Sequence, residues 1–574
     1  MLSYLYAFYY GGTMEETTNV SSPENVQTQP SGNLSKRTFW MYPLGTVGRD
    51  FLYMLFNSNL ITFILFTKTL TTAQFTSVSF IIIAARIFDA FNDPIMGGIV
   101  ENTRSRFGRF KPWMFIGALL TGLVVIAVFS VPVDGWGFIG FLAVMYFLFS
   151  ITFTMNDISY WGMLPSLTSN ERERDKLTSF AQIAATAGGA VAGFIIPVLA
   201  IGANPLGGSA PKAFMIIAVA SALLMFGFQL FTVFGVKEAP MVLTAKKKTM
   251  GLKDMFRVIF KNDQLMWCAL IALLYQTGTG VVGGGLSMSY IYFEFGYNGT
   301  LTMIFGALGG ILGVVFTIIY PLLSKKFGRD KLLYSCGFAM VIGYALMLVF
   351  GLCIPSGIKT FHMDIFGFIV ADIDLKFLIL SIGNFIAGYG GGFYMIMVIS
   401  IANTVEYNEW KTGNRDEGLI FSLRPFTAKM ASALMQFLVM LVYLVVGVTV
   451  YTNGISAAEN DVPRGLITSE EKMARIEGIL ATIPSAKKQA LLACMCIIPI
   501  VFVAAAMLIY KRKYFLSEEI HQRMVKEIAE GRSEYQLKHK AETEQTAETT
   551  TDVVAENLFI EESTDIEEIS DDET

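Results

Sequence analysis

The sequence predicts an all-α membrane protein with twelve transmembrane helices in two pseudo-symmetric six-helix bundles. Three observations predict this fold. The chain has 574 residues, of which 53% are hydrophobic and only 16% charged, whereas soluble domains carry ~25% charged residues. A helix needs ~20 apolar residues to cross a bilayer, and apolar stretches of this length recur throughout the chain. A short basic motif occurs twice, six predicted helices apart.

The apolar stretches predict twelve spans, taken in chain order. They lie near residues 39–66, 74–100, 112–133, 137–165, 179–202, 213–235, 264–294, 300–323, 332–354, 375–404, 418–450 and 489–510. Glycine clusters in the seventh and tenth spans predict either gating bends or close helix packing. The connection 451–488 is long and carries charges of both signs, which predicts one small helix outside the membrane.

Lysine and arginine concentrate in the loops after the second, fourth, sixth and eighth spans. Cytoplasmic loops are the ones enriched in these residues. The pattern therefore predicts that both termini are cytoplasmic and that the chain is a multi-pass protein of the cell (plasma) membrane. The lipid bilayer is then its first partner.

The repeated basic motif divides the chain into two halves. Ser105-Arg-Phe-Gly-Arg-Phe-Lys111 follows the second span, and Lys325-Lys-Phe-Gly-Arg-Asp-Lys331 follows the eighth. Such spacing is typical of a duplicated six-helix unit. The predicted organisation is a disordered cytoplasmic segment (1–38), an N-terminal bundle (39–235), a basic cytoplasmic linker (236–263), a C-terminal bundle (264–510), a cytoplasmic amphipathic segment (511–540) and an acidic disordered tail (541–574).

The tail dominates the net charge. Residues 541–574 contain thirteen Asp or Glu and no Lys or Arg, so the chain without them changes from −4 to +9. This composition is typical of a solvated, disordered segment, with a regulatory or partner-binding tail as the alternative. At the other end, Met14 is a second candidate for the start of the protein.

Cysteine and histidine usage excludes several kinds of site. The five cysteines lie in or beside apolar runs without metal-ligand spacing, which predicts packing residues and no disulfide framework. The three histidines fall outside the predicted spans, which excludes a histidine proton relay within the membrane. Neither glycine cluster has the context of a phosphate-binding loop. We therefore predict no enzyme, no bound cofactor and no nucleic-acid partner.

Ionisable residues inside the predicted spans are the main functional signal, because a charge at the bilayer centre costs ~3 kcal/mol or more. In the second span, Arg86, Asp89 and Asp93 are spaced three and four residues apart. This spacing places them on one helical face, with Asn92 at its edge. The two acids predict a site for a monovalent cation, since neighbouring carboxylates cannot both stay ionised at low cost.

Three further spans carry polar groups that the same argument singles out. Thr154, Asp157 and Trp161 follow the same spacing in the fourth span, and the first and eleventh contribute Asp50 and Lys429. Arg49 is expected to point away from its neighbour Asp50, which leaves acids in excess. A bound Na⁺ or a proton would balance them. The alternative is a set of inert ion pairs that lock helices together, an alternative most open for Arg86 with Asp89.

Trp161 has two interpretations. It shares a helical face with Asp157, and an aromatic ring can stack on the apolar face of a sugar while the carboxylate accepts its hydroxyl hydrogens. It also lies near the cytoplasmic end of its span, where tryptophan commonly anchors a helix at the membrane surface.

Four stretches of the chain resemble the glycoside–pentoside–hexuronide:cation symporter family, the melibiose-permease branch of the major facilitator superfamily. They are residues 86–97, 103–113, 156–165 with 171–174, and 406–418. The resemblance runs from about residue 39 to 530 and implies the major facilitator fold.

The resemblance implies roles for individual residues. The cation-binding residues would be Asp89, Asn92, Asp93 and Thr154, with Asp89 and Asp93 as Na⁺ ligands. The sugar-binding residues would be Asp50, Asp157, Trp161 and Gln182. Lys429 would couple the two sites, together with Arg86. We further predict a cytoplasmic gate formed by Arg104, Arg109, Arg329, Glu406 and Arg415.

Three positions depart from the melibiose permease. Gln182 stands in place of an arginine that contacts galactosides, Phe153 in place of a tyrosine, and Pro425 in place of a threonine. These changes put a galactoside in doubt and favour neutral glycosides, pentosides or oligosaccharides.

The sequence therefore predicts a monomeric symporter that couples inward flow of Na⁺ (or H⁺ or Li⁺) to uptake of a sugar. The alternative within the same fold is a transporter of a non-sugar cargo such as a lysolipid or a drug, since fold does not fix substrate. A membrane-embedded enzyme would need a catalytic cluster, which the sequence lacks. A sensor that has lost transport, with the acidic tail as its output, is a further alternative.

Overall fold

The computed structural model describes residues 34–168, 170–238, 261–365 and 369–539. Within these ranges, twelve helices are long and apolar enough to cross a membrane, which confirms the predicted number of spans. Most of the predicted N-terminal segment, most of the predicted linker and all of the acidic tail lie outside the described residues.

The first half of the molecule contains six long helices. They are α1 (Lys36–Thr67), α2 (Thr72–Asn102), α3 (Lys111–Ser130), α4 (Gly135–Met163), α5 (Glu171–Ala200) and α6 (Ala210–Gly235). Helix α1 begins three residues before the predicted bundle boundary at residue 39. Its N-cap is Ser35, whose side chain accepts a hydrogen bond from the Thr38 amide. Since an N-cap side chain satisfies an otherwise orphan amide, the helix start is set there.

The second half repeats the six spans with two interruptions. Its elements are α7 (Asp263–Val281), α8 (Ser287–Phe295), α9 (Gly299–Phe327), α10 (Arg329–Cys353), β1 (Lys359–Ile365), β2 (Ile369–Asp374), α11 (Leu375–Gly388), α12 (Gly391–Thr412), α13 (Glu417–Val446), α14 (Val448–Asp461), α15 (Ser469–Ala481), α16 (Ser485–Lys513) and α17 (Glu518–Ala529).

Helix α1 is the packing centre of the first half, where it contacts α5 and α6. Small residues permit the close approach. A Cβ atom added at Gly48 would lie 2.3 Å from the Leu224 carbonyl oxygen, and one at Gly188 would lie 2.2 Å from that of Val47. Without a side chain at these points the backbones come into direct van der Waals contact, which is the usual mode of helix association in membranes.

Both glycine clusters interrupt a span. Helices α7 and α8 are joined by a π-helical segment, Val282–Leu286, in which Gly285 has a φ of 128°. The Tyr443 hydroxyl donates to the Gly285 carbonyl at 2.7 Å. The tenth span breaks between Gly388 and Gly391, where a Cβ on Gly388 would lie 2.2 Å from the Gly309 carbonyl. Bending and close packing, which the sequence left as alternatives, therefore occur together.

Two connections differ from the prediction. Residues 451–488 were expected to form one small helix. They contain instead the end of α14, which runs as far as Asp461, the whole of α15, and the start of α16 at Ser485. The connection between α10 and α11 forms an antiparallel hairpin of β1 and β2. Its alternation of apolar and polar residues, from Phe361 to Asp364, is the period-two signal that a search for spans passes over.

The two ends of the molecule differ, and we name them by their contents. The hairpin end carries β1–β2, α14 and α15. The linker end carries the start of α1, the edges of the undescribed stretch 239–260, and α17. Helix α17 packs on α12, where the Trp410 indole donates to the Glu527 carboxylate at 2.8 Å. It lies within the predicted amphipathic segment 511–540.

Candidate functional site

The second, fourth and eleventh spans meet at a polar cluster between the two halves. The Lys429 ammonium of α13 contacts the Asp93 carboxylate of α2 at 2.5 Å and donates to the Asp89 backbone carbonyl at 2.9 Å. The Thr154 hydroxyl of α4 donates to the other Asp93 oxygen at 3.3 Å. Three residues that the sequence assigned to cation binding and coupling therefore touch one another.

Asp89 lies one turn earlier in α2 than Asp93, and its carboxylate has a different partner. Its carboxylate accepts a hydrogen bond from the Ser150 hydroxyl, and the Asn92 amide lies 3.5 Å from the Ser150 carbonyl. Ser150 precedes Thr154 by four residues, as Asp89 precedes Asp93. Helices α2 and α4 thus pair acid with hydroxyl on two successive turns. Sequence analysis missed Ser150, although this matching spacing could have revealed it.

The orientation predicted for Arg49 was wrong. Its guanidinium contacts the Asp50 carboxylate at 2.8 Å and the Asp157 carboxylate at 2.9 Å. Adjacent residues on a helix diverge by about 100°, but an arginine side chain is long enough to fold back around the helix. Arg49 is buried, whereas the Asp157 side chain is 35% exposed. The two acids assigned to sugar binding are thus held together by a buried cation.

An aromatic wall adjoins this triad. The Arg49 guanidinium carbon lies 5.4 Å from the Trp161 ring centroid and 4.9 Å from that of Tyr160. The two rings stand perpendicular to each other. Trp161 is half-buried beside the Arg49–Asp157 pair, which is the position a sugar-stacking ring would require. Its assignment to sugar binding stays a prediction.

In the part of the chain that the structure describes, Gln182 and Arg86 make no hydrogen bond or ion pair with the residues of the Asp93–Lys429 cluster or the Arg49–Asp50–Asp157 triad. Gln182 is exposed on α5, and no side-chain hydrogen bond connects it to another residue in the described part of the chain. Arg86 faces the hydroxyl groups of Tyr53 and Tyr146. Among the described residues no ion pair within 4.0 Å joins it to Asp89, although the two charges are near enough to attract each other, so the Arg86–Asp89 lock stays an alternative.

The cluster carries a net negative charge. Its four acids, Asp50, Asp89, Asp93 and Asp157, outnumber its two bases, Arg49 and Lys429, and still exceed the bases by one if the neighbouring Arg86 is counted. Among residues 34–168, 170–238, 261–365 and 369–539, no group of three or more His, Cys, Asp or Glu could hold a metal ion. A cation here would depend on one or two carboxylates with neutral oxygens, a weak and exchangeable set suited to a monovalent ion.

The predicted gate residues are divided between the two halves, and their role as a gate stays a prediction. Arg415 binds Glu409 at 3.0 Å and Glu406 at 3.3 Å, all at the linker end of the second half. Arg329 is buried and donates to the Leu516 carbonyl, also in the second half. Arg104 and Arg109 lie in the first half. The amides of residues 109, 110 and 111 donate to the Glu238 carboxylate.

The two halves are joined at the hairpin end. Asn453 of α14 exchanges two hydrogen bonds with the Leu70 backbone, each 2.9 Å long. Asn460 donates to the Thr67 carbonyl at 2.8 Å, and the Gly299 amide donates to the Ile201 carbonyl at 3.3 Å. These bonds hold the two halves together at the hairpin end, and the contacts of Lys429 with α2 join them again at the central cluster. The molecule is therefore closed at the hairpin end.

Comparison with known proteins gives the family. The family described as MFS/sugar transport protein matches residues 41–518. The chain is 28% identical to a lactose permease of Lactobacillus delbrueckii subsp. bulgaricus over 523 residues, covering 88% of this chain and 74% of the permease. It is 26% identical to a raffinose carrier protein of Pediococcus pentosaceus, covering 85% of this chain and 70% of the carrier.

Two further comparisons agree. An isoprimeverose transporter of Lactiplantibacillus pentosus is 25% identical and covers 71% of this chain and 81% of the transporter. The crystal structure of the nucleoside transporter NupG matches with a TM-score of 0.50 and 14% identity, over 77% of this chain and 99% of NupG; at this identity it shows the fold alone. The resemblance that the motifs predicted is confirmed: the chain belongs to the MFS/sugar transport protein family, whose members are membrane transporters and not enzymes.

Proposed function

We propose that this protein is a secondary active symporter that couples the inward movement of a monovalent cation to the uptake of a neutral sugar. The observation that carries the proposal is the position of Lys429. Its ammonium is held by a carboxylate and a backbone carbonyl, a set of hard oxygens that also suits Na⁺. In this proposal, the lysine neutralises Asp93 when no cation is bound, and an incoming cation displaces it.

The displacement would couple the two substrates. Lys429 comes from the second half, whereas Asp89 and Asp93 come from the first. A cation bound to the two acids would release Lys429 and change the contact between the halves. In an alternating-access transporter, such a change at the midplane alters which end of the molecule opens. A ligand can shift this equilibrium only through its different affinity for the two states.

The sugar would bind beside the cation site. Asp50 and Asp157 offer carboxylate oxygens to hydroxyl hydrogens, Arg49 offers donors to hydroxyl oxygens, and Trp161 offers a stacking face. The relatives are named for lactose, raffinose and isoprimeverose, all uncharged oligosaccharides. Two acids with a single arginine disfavour an anionic sugar, so a neutral glycoside is the class that fits.

The conformation supports this assignment. If both termini are cytoplasmic, as the basic loops predict, the hairpin end faces outward. The molecule is closed at that end, so its central cluster would be reached from the cytoplasmic side. Asp93 and Lys429 each keep about a quarter of their side-chain surface accessible, 26% and 25%. Cation and sugar could therefore leave the cluster toward the cytoplasm.

Uptake into proteoliposomes tests the proposal. Neutral di- and trisaccharides, beginning with lactose and raffinose, are offered with a gradient of Na⁺, Li⁺ or H⁺. Asp93→Asn should lower cation-stimulated uptake ~100-fold, because a lost charged contact worth ~2–3 kcal/mol changes an equilibrium by about two decades. Asp134→Asn is the matched control, since Asp134 pairs with Lys68 at the hairpin end.

Three outcomes are decisive. Full cation-stimulated accumulation by Asp93→Asn would contradict the cation site. Uptake that follows a sugar gradient alone, with no response to any cation, would reduce the protein to a facilitator. Stabilisation of the purified protein by a lysolipid or drug, with none by any sugar, would favour the non-sugar alternative.

A further inference from the structure

A second polar cavity lies at the hairpin end of the second half, away from the central cluster. Its volume is about 330 Å³, and the ends of α8, α10, α11 and α16 surround it. Polar side chains on its wall include Tyr290, Glu294, Lys376 and Lys488, together with Ser485 and Gln489. None of these residues belongs to the proposed cation or sugar sites.

Two lysines share one carboxylate in this cavity. The Lys376 ammonium hydrogen-bonds to Glu294, and both side chains are almost fully buried, 8% and 6% exposed. The Lys488 ammonium stands 3.9 Å from the second Glu294 oxygen, beyond hydrogen-bonding distance. An acid 6% exposed that faces two ammonium groups leaves one positive charge without a close partner.

Two hydrogen-bond donors on the cavity wall lack an acceptor in the described part of the chain. Among the described residues, the Lys488 ammonium has no hydrogen-bond acceptor and the Tyr290 hydroxyl has no partner, although Tyr290 is only 1% exposed. Helix α16 begins at Ser485, and its N-cap Pro484 provides no side-chain acceptor. The first amides of a 29-residue helix therefore add partial positive charge to the wall beside Lys488, while the last carbonyls of α10 lie on the part of the wall formed by Gly351 to Cys353.

One further acid lies nearby, but its oxygens are occupied. Asp374 caps α11, where one carboxylate oxygen accepts from the Lys376 amide at 2.7 Å and the other from the Gly357 amide at 2.5 Å. It is not part of the cavity wall. Its charge is offset by the N-terminus of α11, as that of Glu294 is by Lys376. The donors of Lys488, Tyr290 and α16 remain.

We infer that this cavity binds an oxyanion, namely a phosphate or carboxylate group held by Lys488 and the N-terminus of α16. A compact anion with several acceptor oxygens is the ligand that satisfies several convergent donors at once. The group could belong to a soluble anion or to a lipid headgroup, because the cavity lies where four membrane-spanning helices end. A neutral sugar would leave the unbalanced charge in place and is not the ligand that this wall selects.

Thermal unfolding of the purified full-length protein tests the inference. Sodium phosphate and sodium acetate are compared with sodium chloride at equal Na⁺ concentration, with choline chloride added to equalise the ionic strength, so that the central cation site responds equally in every sample. We expect phosphate or acetate to raise the unfolding midpoint above that in chloride. Lys488→Gln should raise the dissociation constant of the anion, obtained from the midpoint as a function of anion concentration, at least ~tenfold, as expected for the loss of one hydrogen bond to a charged group.

The neighbouring lysine provides a matched control. The Lys487 ammonium lies 5.0 Å above the Tyr451 ring and points away from the cavity, so Lys487→Gln should respond to the anions as the wild type does. Glu294→Gln should bind the anion more tightly, since it removes the carboxylate that competes for Lys488. If Lys488→Gln does not fold, Tyr290→Phe removes one donor and should weaken the response.

A second arm distinguishes the source of the anion. Phosphatidylglycerol is compared with phosphatidylcholine in nanodiscs. Phosphate also stabilises folded proteins non-specifically, so only stabilisation by phosphate or acetate that is lost in Lys488→Gln identifies a soluble ligand. Stabilisation by phosphatidylglycerol alone that is lost in Lys488→Gln identifies a lipid headgroup; both support the site. The inference is overturned if no anion stabilises the protein beyond chloride and phosphatidylcholine, or if Lys488→Gln and Lys487→Gln respond alike.

Discussion

Two lysine–carboxylate pairs lie between the halves of this transporter, and they are built differently. At the centre, Lys429 and Asp93 come from opposite halves, and each side chain is about a quarter exposed. At the hairpin end, Lys472 and Glu459 both belong to the second half, 3.3 Å apart and 0% exposed. Burial raises the pKa of the Glu459 carboxyl above its ordinary value. The first pair is accessible to ions, and the second is closed to them.

The partners that each pair offers across the interface also differ. The central pair is itself the crossing contact. Each member of the hairpin-end pair instead makes a hydrogen bond to the backbone of the first half. Glu459 accepts from the Ala210 amide at 2.8 Å, and Lys472 donates to the Gly202 carbonyl at 3.2 Å. Opening the hairpin end would therefore break hydrogen bonds to neutral backbone while the two charges stay together. Opening the centre separates charges, unless a mobile cation replaces one of them.

The largest effect is expected at the fully buried pair. Lys472→Met should lower the free energy of unfolding by ~3–5 kcal/mol, because it leaves an unpaired buried carboxylate. Chemical denaturation of the purified protein measures the loss, and Glu459→Gln in the same chain should recover part of it. Arg475→Met is the matched control on the same helix, since its 2.7 Å pair with Asp461 is 55% exposed at the arginine and should cost under ~1 kcal/mol. If Lys472→Met and Arg475→Met lose the same free energy of unfolding, the distinction between a buried and an exposed ion pair is wrong.

A smaller effect is expected where neutral groups close the interface. Asn453→Ala removes two hydrogen bonds to Leu70, each worth ~1 kcal/mol. The ratio of molecules open at the hairpin end to those closed there should rise ~30-fold. Spin labels at Thr69→Cys and Gly465→Cys, in a cysteine-free background, would report a longer distance by pulsed electron resonance. Asn102→Ala, at the linker end, should leave that distance unchanged; an unchanged distance in Asn453→Ala would count against the closure described here.

Removal of the lysine should destabilise the protein less at the central pair than at the buried pair. Lys429→Gln should cost only ~1 kcal/mol of unfolding free energy, because Asp93 remains partly solvated. Since the competing ammonium is gone, Na⁺ should raise the unfolding midpoint of this variant more than that of the wild type. A titration of the midpoint against Na⁺, with choline as the control cation, measures the difference. The proposed competition is wrong if Na⁺ stabilises both proteins equally.

The smallest effect is expected on the hairpin surface. Hydrogen bonds from Lys359, and then from His362, lower the pKa of the exposed Asp372 carboxyl. A lowered pKa means that its contribution is present above the ordinary carboxyl pKa and is lost as the pH falls through the lowered value. At neutral pH, Asp372→Asn should leave the unfolding midpoint within experimental error, because exposed ion pairs contribute little. A clear drop would show that the hairpin supports the closed end.

The sequence alone was sufficient for features with a local period. Spans follow from runs of apolar residues, and the shared face of Asp89 and Asp93 follows from 3.6 residues per turn. The same periodicity could have found Ser150. It could not orient Arg49, whose contact depends on a flexible side chain rather than on helix geometry. Nor does it reveal the small hairpin, whose few alternating residues are masked by the longer apolar runs around them.

What the sequence determined, then, is that several acids and bases lie within membrane-spanning helices, on which faces, and in a chain built of two similar halves. Only the tertiary structure decided which charged groups form pairs. Lys429 pairs with Asp93, 336 positions away in the sequence, and Glu459 pairs with Lys472 in a fully buried position. The physical reason is that contacts between helices depend on how each helix is rotated and displaced in the bundle. Those positions are set by the packing of the whole molecule, which no local pattern contains.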